Sequence, residues 1–182
     1  AAMLAVLTTR GYGKLIATEP FMNRLTQRIP YRMERSRGYP AAVVPITGEG
    51  ELILITQAGR AARLPVGRLS SLEERWLQVP PAGSVIAALY LDQPADILIA
   101  TAGGYAERVF SGDIPLTEAL NTSGSKIISR AQPVAARLYQ PDRLLWAMTN
   151  RRISPVDSHD TNTAQRLLRL QTGEMLLNLF YG

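Results

Sequence analysis

Three cations recur at one place in this sequence. Lys14, Arg63 and Arg108 each stand three or four residues after a turn glycine, Gly11, Gly59 and Gly104. Spacing of this kind suits neutralisation of phosphates along an edge, because each neutralised phosphate releases counterions and needs a positive charge at a regular interval. Further cations lie beside them. Arg60 follows Gly59 directly, Arg35 and Arg37 precede Gly38, Lys126 follows Gly124, and Arg151 and Arg152 sit together. A planar guanidinium matches a phosphate with two hydrogen bonds, whereas an ammonium is a point charge. Two of the 20 basic residues are lysines, Lys14 and Lys126, and the rest are arginines. Against 15 acidic residues the net charge is +5.

Other chemistries fare worse. The chain has no cysteine and one histidine, His159, which excludes disulfides, thiolate metal sites and any site needing two histidines. Asp157-Ser158-His159-Asp160 places acid, hydroxyl and imidazole in a row, but triad partners converge from separate segments. Neither Gly11-Tyr12-Gly13 nor Gly48-Glu49-Gly50 is followed by the Gly-Lys-Ser/Thr of a phosphate loop. The expectation is therefore no catalytic residue, no metal, no cofactor and no small-molecule substrate. Tyr12 and Tyr105 follow equivalent glycines and could stack on sugar or base, although packing beside the turn is the simpler role. Trp76 and Trp146 are expected in the core.

The elements that position the cations repeat. Four apolar runs end in Thr and a turn, at Leu4–Thr8, Leu52–Thr56, Ile97–Thr101 and Leu144–Thr149. The threonines are spaced 48, 45 and 48 residues apart, a period of about 47. Gly follows three residues later in three copies, and Arg152 stands there in the fourth. A second strand then leads through Pro20, Pro65, Pro115 or Pro155, and the glycines Gly38, Gly83 and Gly124 lead to a third strand, Ala41–Ile46, Val85–Leu91 and Pro133–Tyr139. In this register Lys14, Arg63 and Arg108 occupy near-equivalent points. Glu51 to Gly59 aligns without gaps on Glu174 to Gly182, so Met175–Phe180 reads as the first strand of a fifth copy, which either closes the ring by completing another blade or belongs to a longer array from which this chain is cut.

Short runs rich in Val, Ile and Leu, bounded by Gly, Pro and Asp, predict strands. Their period predicts an all-β, propeller-like array of about four blades in one domain over 1–182, with repeats 4–50, 51–95, 96–142 and 143–182 and a closing strand at 175–180. Helix signal is weak, at Leu69–Leu77 and Pro115–Leu120. No apolar run reaches the ~20 residues that span a bilayer, and the first residues read as a strand rather than a leader, so no membrane partner is expected.

The order of apolar strand, Thr, Gly-aromatic-x-cation, Pro, Gly, strand and acidic turn resembles the repeat of the C-terminal domain of the type IIA topoisomerase A subunit, found in DNA gyrase and bacterial topoisomerase IV. Leu7-Thr8-Thr9-Arg10-Gly11-Tyr12-Gly13-Lys14 and Ile99 to Arg108 carry it best, and the four copies span nearly the whole chain. The resemblance implies a β-pinwheel and a non-catalytic role. It also implies a rim that bends double-stranded DNA without reading its sequence, other topoisomerase subunits as partners, and a cytoplasmic, nucleoid-associated setting. The family's gyrase branch carries a Gln-Arg-Arg-Gly-Gly-Lys-Gly box for wrapping. The nearest segment here is Glu34-Arg35-Ser36-Arg37-Gly38-Tyr39, so plain rim binding fits better than chiral wrapping. The alternative is a propeller that binds another protein and has no DNA affinity of its own.

Overall fold

The structure, a computed structural model, describes residues 2–22, 27–28, 30–81, 83–117, 120, 123–128 and 132–182. Fifteen strands among them form four antiparallel sheets arranged around an axis, a β-pinwheel of four blades. Each blade is built on a hairpin. Its first strand is β1 (Met3–Thr8), β4 (Glu51–Thr56), β8 (Asp96–Thr101) or β12 (Leu145–Thr149). Its second is β2 (Tyr12–Ala17), β5 (Arg60–Pro65), β9 (Tyr105–Phe110) or β13 (Ile153–Val156). A third strand pairs on the other side of the first: β3 (Pro40–Ile46), β7 (Val85–Leu91), β11 (Pro133–Leu138) or β15 (Leu176–Tyr181). In each blade the register slips at the end of the first strand, beside its Thr.

A fourth strand completes three blades, and it comes from farther along the chain. β6 (Leu77–Gln78) follows β5 but pairs with β2. β10 (Ser125–Lys126) follows β9 but pairs with β5. β14 (Gln165–Arg166) follows β13 but pairs with β9. Each of these three blades is therefore clasped by a strand reaching back from the connection after its successor's hairpin. The fourth blade has three strands among the described residues.

The first strands of the two middle blades read as unbroken apolar runs because both of their faces are covered, unlike a half-exposed strand, which alternates. Residues one and three before the Thr face the next blade, and residues two and four before it face the previous one. Ala5 and Leu7 pack on Leu52 and Leu54. Ile53 and Ile55 pack on Ile97 and Ile99. Leu98 and Ala100 pack on Leu145 and Ala147. The third strands of successive blades meet, β3 on β7, β7 on β11 and β11 on β15, which places them near the axis and puts the second strands, with the short reaching-back strands beyond them, toward the periphery. Between β15 and β3 no comparable contact exists among the described residues.

The two outer faces differ. That of the first blade, Val6 and Ile16, lies under Trp76, Phe21 and Met33. Here α1 (Glu19–Met22) and the segment after α2 (Ser71–Glu74) supply the cover. The corresponding face of the fourth blade, with Trp146, Met148, Ile153 and Phe180, is open to solvent to varying degrees.

Four expectations need correction. Met175–Phe180 starts no fifth copy: Leu176–Tyr181 runs antiparallel to β12 as the third strand of the fourth blade, and its likeness to β4 reflects a shared apolar strand pattern. Trp146 is half-buried rather than core. Gly124 leads into the reaching-back strand β10 instead of a third strand. Of the helix signals, Ser71–Glu74 forms one turn, whereas Ser111–Asp113 is a tight turn ahead of Pro115, and 118–119 lie outside the described residues. Among the described residues no helix is long and apolar enough to cross a membrane.

Candidate nucleic-acid interface

The hairpin turn sets the position of each peripheral cation, and a buried threonine sets the turn. The hydroxyls of Thr56 and Thr101 donate to the carbonyls of Arg60 and Tyr105, while those of Thr8 and Thr149 accept from the Tyr12 and Arg152 N–H groups. In three blades the turn closes when the glycine N–H donates to the Thr carbonyl at 3.0 Å. The glycines take φ of +77° to +85°, a region that a side chain disfavours. Their carbonyls then accept from Val79, Ile127 and Leu167, one residue beyond each reaching-back strand. The fourth turn, Asn150-Arg151, is one residue shorter. Arg152 thus does not replace a glycine; it takes the place of Tyr12, Arg60 and Tyr105.

Register separates the three recurring cations. Arg63 lies opposite Ile53 and Arg108 opposite Leu98, both three residues before a Thr. Lys14 lies opposite Val6, two before its Thr. A one-residue difference on a strand reverses the face. Lys14 is therefore not equivalent to the other two, and it points to the opposite side of its blade, where Nζ donates to the Glu73 carbonyl at 3.1 Å.

Arg63 and Arg108 both point toward the next blade and are held there. Arg63 makes a two-pronged pair with Glu51, 2.7 and 2.9 Å, and donates to the Gly112 and Ile114 carbonyls of the third blade's connection at 3.3 Å each. Its pair is only 16% and 21% exposed. The hydrogen bond to Glu51 raises the Arg63 pKa above its ordinary value, so the charge is permanent and already balanced. Arg108 donates to the His159 carbonyl at 3.1 Å and lies over the Tyr139 ring at 4.4 Å, and its Nε is buried without a partner. These two cations tie blades together.

Arg152 is similarly engaged. It pairs with Glu174 at 2.9 Å and donates to the Arg169 carbonyl. Glu174, 1% exposed in its side chain, also accepts from the Thr149 hydroxyl at 2.7 Å and the Gln171 N–H at 3.0 Å. The Arg152 guanidinium, and then those two donors, hold its carboxyl at a pKa of about 2. Arg60 donates to the Ser123 and Gly124 carbonyls at 2.9 and 2.7 Å, so it fixes the entry to β10, with part of its surface in solvent.

The remaining cations face outward with weak partners. Lys126 on β10 and Arg35 are exposed. Arg37 is 3.5 Å from Glu34 and lies over the Tyr12 ring at 4.8 Å. Arg151 reaches Gln171 at 3.2 Å. Sequence reasoning missed Arg10, exposed in the first turn, whose Nη1 donates to the Ser36 carbonyl at 3.2 Å, and Arg166 on β14, which donates to the Tyr105 hydroxyl at 2.8 Å. The available signal was that Arg10 immediately precedes Gly11; Arg166 had none, because its strand belongs to the blade before it. His159 and Asp157 form an exposed pair at 2.5 Å on the same loop. The His159 N–H, donating to Asp157, lowers that carboxyl's pKa.

No family model matches the sequence, and no curated protein sequence matches it. Solved structures do. The chain superposes on a DNA gyrase A C-terminal domain with a TM-score of 0.74 at 14% identity, over 99% of this chain and 65% of that one. A topoisomerase IV C-terminal domain gives 0.71 at 13%, over 100% and 64%, and the E. coli ParC C-terminal domain 0.65 at 13%, over 99% and 81%. The fold is theirs. The chain spans just under two thirds of the length of the first two.

Proposed function

We propose that this chain is a non-catalytic DNA-binding domain that holds and bends double-stranded DNA along its periphery, as an accessory to a topoisomerase. One observation carries the reading: the cations without strong internal partners, Arg10, Arg35, Arg37, Lys126 and Arg151, lie on turns and outer strands of a fold shared with gyrase A and topoisomerase IV C-terminal domains. Lys14, Arg60 and Arg108 add charge there while serving the fold. Arg63 and Arg152, neutralised by Glu51 and Glu174, contribute little field. Contacts of this kind go to phosphates, so binding tolerates any sequence and responds to bendability. Other topoisomerase subunits are the fitting protein partners, in a cytoplasmic, nucleoid-associated setting, with no cofactor and no small-molecule substrate.

The test is a gel shift with duplexes of about 40 base pairs and unrelated sequence. Expected are similar affinities for all of them and a linear fall of log affinity with log salt, by about 0.9 per phosphate contacted. No affinity at low salt overturns the reading. A protein-interaction propeller would then be the better account, favoured by the solvent-open apolar face of the fourth blade around Ile153 and Phe180.

A further inference from the structure

Two clefts meet at Arg10. One, of about 770 Å³, is walled by Arg10, Tyr12, Arg37 and Gln78, with Trp76 at its base. The other, of about 510 Å³, is walled by Arg10, Met33, Arg35 and Tyr39. Both are of the size that takes a small ligand or a nucleobase. Three arginines line them, and the acidic residue paired there, Glu34, is 60% exposed and 3.5 Å from Arg37, a weak counter-charge.

We infer that these clefts form a site for unpaired nucleic acid, in which a single strand crosses Arg10 and places a base against Tyr39. The inference rests on the nucleic-acid reading above and names a second substrate form for it. Duplex phosphates need only cations, since their bases stay stacked inside the helix. A single strand offers base faces as well, and proteins that bind it combine a basic groove with aromatic platforms. The first blade has that combination. Tyr39 is 78% exposed, a large ring kept in water on a fixed backbone. Its N–H donates to the Thr9 hydroxyl at 3.1 Å, and its carbonyl accepts from the Thr9 N–H at 2.8 Å. Arg37 lies over the Tyr12 ring at 4.8 Å, and its guanidinium, with the side chain 35% exposed, offers a second surface for stacking.

The loop is also preorganised. The Thr8 hydroxyl donates to the Arg37 carbonyl at 2.6 Å, and Arg10 donates to the Ser36 carbonyl. The cost of ordering this loop's backbone and the Arg10 side chain is therefore met on folding. In the second blade the counterpart of Tyr12 is Arg60, and its guanidinium is occupied by Ser123 and Gly124.

The experiment is fluorescence anisotropy of the intact chain with a labelled single strand of about 15 nucleotides and a duplex of equal length, at one low salt concentration. Tyr39→Ala should weaken single-strand binding about ten-fold and leave duplex binding within about two-fold, with Tyr39→Phe restoring it, because the ring face and not the hydroxyl does the stacking. Tyr39 is exposed, so the fold should survive, and an unchanged melting temperature checks this. If the duplex binds and the single strand does not, or if Tyr39→Ala weakens both alike, the inference fails and the duplex reading stands. If neither binds, both fail.

Discussion

Arg63 and Lys126 carry the same charge in different surroundings, and substitution should separate them. Arg63→Ala leaves Glu51 half-buried without its partner and frees two carbonyls between blades, which should cost about 2–3 kcal/mol in chemical denaturation. Lys126→Ala removes an exposed cation. It should leave stability unchanged and lower the slope of log affinity against log salt by about one. If Arg63→Ala is as stable as the parent chain, the blade-tie role is wrong. The sequence could not distinguish the two, because the spacing after a turn glycine shows that a cation is on a strand but not which face it takes. One residue of register decides that, and it made Lys14 look equivalent to Arg63.

Glu174 gives a pH test at the same scale. Its folded pKa of about 2 lies below the ordinary 4.5, so the carboxylate form is the stabilised one. That contribution is present above pH 4.5 and is lost as pH falls toward 2. Glu174→Gln cannot titrate, so the parent chain should melt higher than this variant at neutral pH. The gap should close between pH 4.5 and 2. A gap that does not change with pH would show that the Arg152 and Thr149 contacts do not depend on the charge.

The hairpin turn is the element that the sequence described best, since a threonine and a glycine at fixed spacing need only local chemistry. Thr56→Val keeps the shape but removes a buried hydroxyl that bonds Arg60 in both directions, for a cost of about 1–2 kcal/mol. Gly59→Ala should cost more. Its φ is +78°, and an added Cβ would lie 2.8 Å from the Ile128 carbonyl oxygen of the reaching-back segment. Equal losses in a urea titration would mean that the glycine serves the turn alone and does not seat β10. The reaching-back strands were not legible. β6, β10 and β14 are two residues each, and nothing within two residues tells a strand that it belongs to the blade before it. The third strands are legible because they are long and apolar, although the one at 176–181 reads in the sequence as the first strand of a further copy. An apolar strand that is covered on one face and flanks the axis has the same composition as one at a blade's centre.

Protection across the whole molecule follows from which faces are covered. β4 and β8 are hydrogen-bonded on both sides and packed on both faces, with Ile53, Leu54, Ile97 and Leu98 fully buried. β1 has neighbours on both sides, and Trp76, Phe21 and Met33 substitute for a preceding blade. β12 is paired on both sides too, but only Leu145 and Ala147 face a neighbour, while Trp146 and Met148 are partly in water. Its flanking strand β13 has four residues and carries no further strand among the described residues. Local opening costs least where apolar burial is least. Amide hydrogen exchange should therefore proceed first in β12 and β13, later in β1, and last in β4 and β8. Duplex DNA held along the periphery should slow exchange at the turns near Arg10 and Arg151 without changing the order in the cores. Protection of β12 equal to that of β4 in the free chain would show that the open face is covered in solution, by a second copy or by a rearrangement of the array. A dependence of that protection on protein concentration would identify the second copy.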